Sequence, residues 1–152
     1  MINESGRSLV EMLGVLAIGA VMTAAAYATY NMLRTSQSRN LALSEMEQIA
    51  RNTKILLETR GDYTGVSVDY LIKSGAITES KSPIGGDDWS ITSSVDGKSF
   101  SINLVNLTHS DCAYFATKKL GWAKSVTINN LENAGGEACI SGSRNNVSIN
   151  IE

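Results

Sequence analysis

A single proline, Pro83, occurs in 152 residues, so no proline-rich linker divides the chain. One histidine, His109, and two cysteines, Cys112 and Cys139, are too few for a zinc site, which usually needs four ligands. Aromatic residues make up 6% of the sequence, which is low for a protein that binds mainly by stacking. Positive charge is not in excess: 13 Lys and Arg face 15 Asp and Glu, with a pI near 5.4. A dense basic surface for nucleic acid is therefore excluded. No Ser or Cys nucleophile motif surrounds His109, no Cys-x-x-Cys occurs, and no acidic pair sits in a recognisable catalytic context. Gly135-Gly136 and Gly142 suit loops and show no phosphate-binding pattern. These absences point to a protein that is not an enzyme, with no catalytic residue, no metal and no cofactor.

Global disorder is excluded in turn, because 43% of the residues are apolar. The length suits one domain, or one domain plus an appendage. The distribution favours the appendage. Met12 to Leu33 carries no charged side chain over 22 residues. As a helix that run is roughly 33 Å long, enough for a bilayer core of roughly 30 Å. Residues 1–60 hold six Lys or Arg and five Asp or Glu; residues 61–152 hold seven and ten. The chain reads as a membrane-compatible stalk followed by an acidic head.

Two ordinary explanations compete for the apolar run. A cleaved secretory signal needs a basic start, a core of 7–15 apolar residues and a small-residue cleavage site. Ala24-Ala25-Ala26 imitates the last of these, but Met1 to Gly6 lacks Lys and Arg and the run is too long. A plain transmembrane anchor explains the hydrophobicity but not Glu11, since an intramembrane carboxylate is costly and usually has a partner. Nor does it explain Gly14, Ala17, Gly19, Ala20, Ala24, Ala25, Ala26 and Ala28, small residues that let helices approach closely.

Gly6-Arg7-Ser8-Leu9-Val10-Glu11, followed by Met12-Leu13-Gly14-Val15-Leu16, resembles the prepilin signal of the type IV pilin family. The resemblance implies cleavage by a membrane aspartyl peptidase between Gly6 and Arg7, and N-methylation of Arg7. It makes Glu11 the acidic residue five positions into the mature chain. A carboxylate buried in a filament core needs a cation, and the amine freed at Arg7 of a neighbouring subunit would supply it. A Glu11 that snorkels to an interface is the alternative. Two features depart from the family pattern: Arg7 stands where an apolar residue is usual, and the leader has no basic residue. The proline often found about 22 residues into the mature chain is also absent, Ala28 standing there.

Beyond the apolar run, positions 42, 46, 49, 50, 53, 56 and 57 follow helical spacing, and neither Pro nor Gly interrupts Asn31 to Arg60. One long helix is expected from about Ser8 to Thr59, stopped by Gly61; two helices hinged near Ser36 are the alternative. In the head, Ser67 to Gly75 reads as a short capped helix. Pro83 to Asp88 reads as a loop. Trp89 to Thr92 and Phe100 to Leu104 read as strands joined through Asp96-Gly97. A second helix is expected to start at Thr108, with Asp111 placed as in a capping box, to carry Lys118 and Lys119 in its last turn and to end at Gly121. Val126 with Ile128, and Val147, Ile149 and Ile151, alternate as strands. The class is α+β.

This order resembles the type IVb pilins over most of the chain, through Gly61-Asp62-Tyr63, Leu71 to Ile77, Ser82 to Gly86, Phe100 to Leu104, Leu107-Thr108 and Cys112. The likeness is greatest to major pilins of conjugative thin pili and toxin-coregulated pili. It implies a leader at 1–6, a helix at 7–60 and a globular head at 61–152. The helix divides into a membrane or filament-core half at 7–33 and an amphipathic half at 34–60. It also implies a head outside the cytoplasm, where disulfides persist, and a Cys112–Cys139 bond that bounds the exposed C-terminal region; two free core thiols are the alternative. His109 is expected at the surface or in a cap. Asp87-Asp88 is expected in a solvated turn, with calcium as the rival reading, and Lys118, Lys119 and Lys124 form a small basic patch.

The reading is a structural subunit that polymerises with copies of itself into a surface filament. It implies an inner-membrane stage, the peptidase, an assembly ATPase, a platform protein and a secretin, and no nucleic acid. A secretion pseudopilin and a minor tip pilin with an adhesive or DNA-binding head are the rivals. A membrane-anchored enzyme stands last.

Overall fold

The computed structural model describes residues 4–152, with side chains from Ser8 onward. The chain divides into two compact units, one running to Gln37 and one spanning Ser38–Glu152. A single helix, α1, covers Glu4–Glu58 without a break at Ser36, so the two-helix alternative falls.

In the first unit the α1 side chains face outward. Leu9, Val10, Met12, Leu13, Val15, Leu16, Ile18, Val21, Met22, Met32 and Leu33 are between 57% and 77% exposed. The hydroxyls of Thr23, Thr29 and Thr35 donate to the carbonyls of Gly19, Ala25 and Asn31, four residues back, at 2.8, 2.9 and 3.0 Å. Each hydroxyl proton is thereby satisfied within the helix, as an apolar environment requires.

In the second unit the helical spacing read from the sequence becomes a buried stripe. Ala42, Met46, Ile49, Ala50, Thr53 and Leu57 are all buried. The helix ends where Gly61 reverses it: Gly61 has φ +77°, and its N–H reaches the Leu57 carbonyl at 3.1 Å. That left-handed conformation costs glycine no Cβ clash. A short helix, α2, spans Val68–Lys73, and Ser67 caps it by accepting from the Tyr70 N–H.

The five strands are β1 (Ser90–Ser93), β2 (Phe100–Leu107), β3 (Ser125–Ile128), β4 (Leu131–Glu132) and β5 (Asn145–Ile151). They form one antiparallel sheet in the order β1-β2-β5-β3-β4. One face contributes Phe100, Ile102, Leu104, Val147, Ile149 and Ile151 to the same core as the α1 stripe. On the other parity, amides and hydroxyls bond across strands. Asn103 Nδ2 donates to Thr92 Oγ1, Ser101 Oγ to Asn150 Oδ1, and Asn150 Nδ2 to Ser125 Oγ and Thr127 Oγ1, at 2.7–3.1 Å. Cross-strand polar pairs of this kind stabilise the sheet and pin its register.

Two elements escaped the sequence reading: β4, and a 3-10 turn at Gly136–Ala138. The turn before β4 is Asn129-Asn130, with φ +47° and +71°, a hairpin geometry that asparagine tolerates. The helix beginning at Thr108, α3, spans His109–Thr117. It does not hold Lys118 and Lys119 in its last turn, nor does Gly121 end it. Lys118 is already extended at φ −81°, ψ 126°. The Thr117 hydroxyl caps the end instead, donating to the Ala113 and Tyr114 carbonyls.

The Pro83–Asp88 loop is fastened to a bulge in β2. Asn106, at φ +58°, donates through Nδ2 to Asp87 Oδ2 at 2.8 Å. Gly86 backs against the strand so closely that a Cβ would lie 2.5 Å from the Val105 carbonyl oxygen, whereas one at Gly85 would meet nothing within 4 Å. Both glycines have positive φ, so Gly85→Ala should cost about 1–2 kcal/mol from backbone strain alone. Gly86→Ala should cost measurably more and loosen the bulge. Urea midpoints of the two variants, measured side by side, check the difference.

Candidate assembly surface and disulfide-bounded region

The first candidate surface is the outward face of α1. Glu11 lies in it, exposed and bracketed by Val10 and Met12, with no charged residue from Met12 to Leu33. Along the same stretch a Cβ added at Gly14 or Gly19 would meet nothing within 4 Å, so the backbone there is open to close approach. α1 is long and apolar enough to cross a membrane. The expectations placed on Gly6 and Arg7 fall outside the described side chains.

The second candidate lies in the Ser38–Glu152 unit. Cys112, in α3, is joined to Cys139, at the end of the 3-10 turn, with Cα atoms 5.9 Å apart. Both cysteines are buried within the core cluster. The bond closes residues 112–139 into a loop holding β3 and β4. The return of that loop is organised by Asn145, which is fully buried. Its Oδ1 accepts from the Ile140 N–H at 2.7 Å and from Asn129 Nδ2 at 3.1 Å. Its Nδ2 donates to the Leu107 and Ile140 carbonyls at 3.2 and 3.0 Å. A buried amide is tolerated because these bonds replace its water.

Asp111 differs from the capping-box expectation in an instructive way. The Thr108 hydroxyl accepts from the Asp111 N–H at 3.2 Å, as a cap should. The carboxylate, however, does not reach back to the backbone. Oδ2 accepts from the Thr108 hydroxyl at 2.7 Å and Oδ1 from Arg39 Nε at 2.8 Å. Arg39 also donates to Ser110 Oγ and lies 5.1 Å above the Tyr114 ring. The Tyr114 hydroxyl donates to Asn40 at 3.2 Å. This ion pair, with side chains only 19% and 13% exposed, fixes α3 against residues 39–40 of α1. Sequence reading missed it, since nothing local relates residue 39 to residue 111.

The remaining sequence candidates are placed as follows. His109 is exposed at the first turn of α3, and its Nδ1 lies 3.3 Å from the Ile140 carbonyl. Asp88 accepts from Ser80 and Asp87 from Asn106. Among the described residues, no group of three or more His, Cys, Asp or Glu converges to hold a metal ion. Lys124 is paired with Glu152 at 2.6 Å. A pocket of about 220 Å³ between α1 and the loop after α2, lined by Glu45, Glu79 and Trp89 among others, had no sequence signal. Burial and then the charge of Glu79 hold the Glu45 carboxyl above its ordinary range.

No family model and no curated protein sequence matches the chain. Solved structures do. The crystal structure of TcpA, a type IV pilin from Vibrio cholerae El Tor biotype, is similar with a TM-score of 0.65 and 13% identity. The match covers 76% of this chain and 99% of that one. A long N-terminal helix with an antiparallel five-stranded sheet is the type IV pilin fold, and this chain has it.

Two outcomes follow from the site. Replacing Cys112 and Cys139 together by serine should remove about 3–4 kcal/mol, the constraint a loop of this length places on the unfolded chain. Urea titration with and without reductant checks it: reductant should shift only the parent protein. A carboxyl raised by folding favours the folded state when protonated. Its stabilising effect is therefore complete below its unfolded value near 4.5 and is lost as pH rises through its higher folded value. Glu45→Gln should accordingly be more stable than the parent at pH 7, with the gap closing below pH about 4.5. Melting temperatures across that pH range measure it.

Proposed function

We propose that the chain is the structural subunit of a type IV pilus of the IVb class, polymerising through the apolar part of α1. The observation that carries this reading is the uncovered apolar surface from Leu9 to Leu33 on a chain with the pilin fold. Eleven large aliphatic side chains at about 1.5–3 kcal/mol each make leaving that surface in water cost on the order of 20 kcal/mol. The helix must therefore be covered, first by the inner membrane and then by other copies in the filament core. The leader is residues 1–6, the helix 7–60 and the head 61–152, with the head outside the cytoplasm.

Apolarity alone does not choose between lipid and filament, because lipid tails are as apolar as the side chains of a neighbouring helix. Two other features favour the filament. Small residues along α1 allow close helix packing, and Glu11 needs a positive partner. Prepilin peptidase cuts between Gly6 and Arg7 and the new terminus is methylated. The amine at Arg7, reinforced by its guanidinium, then pairs with Glu11 of an adjacent subunit. Such a pair costs less than leaving a lone carboxylate in an apolar medium, at about 3 kcal/mol by insertion scales. An assembly ATPase, a platform protein and a secretin act on the subunit.

Protein sheared from the surface of expressing cells should begin at Arg7 and carry one extra methyl group by intact mass. A chain retaining Met1, or starting after Ala26, would refute pilin processing. Glu11→Ala should leave a folded head and a membrane-held chain but few filaments by electron microscopy; undiminished filament yield would remove Glu11 from docking.

A further inference from the structure

The acidic groove between α1 and the loop after α2, of about 220 Å³, is built and charged but serves no contact of the fold. Glu45, Gln48, Ile49 and Asn52 line it from α1, at the spacing that brings side chains onto one helix face. Glu79 lines it from the loop, and Trp89 from the residue before β1. The volume lies below the roughly 300–1,000 Å³ of sites for drug-sized molecules, so its occupant is no larger than a single sugar. Its walls stand without a ligand. Asn52 Nδ2 donates to the Ala76 carbonyl at 2.6 Å. The Ala76 N–H donates to the Leu71 carbonyl at 2.9 Å and the Trp89 N–H to the Ser80 carbonyl at 2.7 Å. A groove already held open spends little of its binding energy on ordering.

Two kinds of group in the groove want a partner. The first is anionic. Glu45 is half-buried and Glu79 exposed, and among the described residues no cation lies within ion-pair distance of either. Burial, and then the charge of Glu79, push the Glu45 carboxyl above its ordinary range. The second is a donor. Trp89 is only 4% exposed, and among the described residues its indole N–H meets no acceptor. The side-chain groups sealed from water without a partner are the hydroxyls of Thr53 and Ser82. The indole N–H is not one of them, so it opens on free space, and the groove is the space that the Trp89 side chain lines.

We propose that the groove binds an amino sugar with a free, charged amine. The ammonium sits between the Glu45 and Glu79 carboxylates, where a half-buried anion gains most from a counter-charge. A ring hydroxyl accepts from the Trp89 indole N–H, and the Gln48 amide is within the same lining for a second hydroxyl. Ile49 and Trp89 give the C–H face of the ring an apolar wall. A calcium ion would require six to eight oxygens, more than two carboxylates beside an apolar wall provide. A simple alkylamine satisfies the carboxylates but leaves the indole N–H unpaired. The assignment is independent of the filament reading, because every group it uses belongs to one chain.

The test uses the full-length chain, unassembled in detergent micelles, with Trp122→Phe so that Trp89 is the one remaining tryptophan. Glucosamine should change Trp89 fluorescence saturably. Glucose and N-acetylglucosamine, which lack the positive charge, should bind about tenfold more weakly or worse. Glu79→Gln, at an exposed position, should weaken glucosamine about tenfold while leaving the melting temperature unchanged. Trp89→Phe, read by calorimetry, keeps the wall and removes the donor, and should weaken it about threefold. Equal binding of the three sugars, or full affinity in Glu79→Gln, overturns the ammonium site. Putrescine binding as tightly as glucosamine, or full affinity in Trp89→Phe, overturns the sugar. Calcium displacing glucosamine at equal concentration overturns the amine in favour of a metal. Because the chain is measured before assembly, none of these failures touches the filament reading.

Discussion

An apolar surface that the chain cannot cover by itself governs this protein. The second unit closes a core from the amphipathic end of α1 and one face of the sheet. The first unit has no comparable partner among the described residues, and its aliphatic side chains stand in the open. Composition already contains this imbalance, since residues 12–33 offer no charged face with which a helix could meet water. The hydroxyls bonded back into α1 fit the same condition, because they leave little polar demand along the helix wall.

The second unit, by contrast, closes its own core and is joined by contacts of long sequence separation. Arg39 with Asp111, Cys112 with Cys139, and Asn145 with Leu107, Asn129 and Ile140 draw distant segments together. Each of these groups would be expensive if left alone. A half-buried guanidinium needs its carboxylate, and a fully buried amide needs all of its bonds. They specify the arrangement of the head as much as they stabilise it.

What the sequence made legible follows this division. Periodic features were readable: the 42–57 stripe, the alternation in β2 and β5, and the caps at Ser67 and Thr108 are local patterns with local causes. The end of α3 was misread because Lys and Gly stop signals were weighed above Thr117, whose hydroxyl competes for the last carbonyls. β4 was missed because two residues carry no period. The acidic groove and the Arg39–Asp111 pair were invisible because they exist only once remote segments meet. The disulfide stood between these cases: with two cysteines only one pairing exists, but whether it forms depends on where the head resides.

The position of β5 decides when the sheet can be completed. It is the last strand in sequence, yet it lies between β2 and β3 and is hydrogen-bonded to both. Without it the sheet is two separate hairpins, β1–β2 and β3–β4, and an isolated two-stranded hairpin is marginally stable at best. Residues 90–132 therefore remain incompletely paired until the last strand is in place. The sheet becomes one sheet only when Asn145–Ile151 arrives. A sheet closed by its central strand is completed all at once or not at all, so the integrity of the whole sheet hangs on the seven residues Asn145–Ile151.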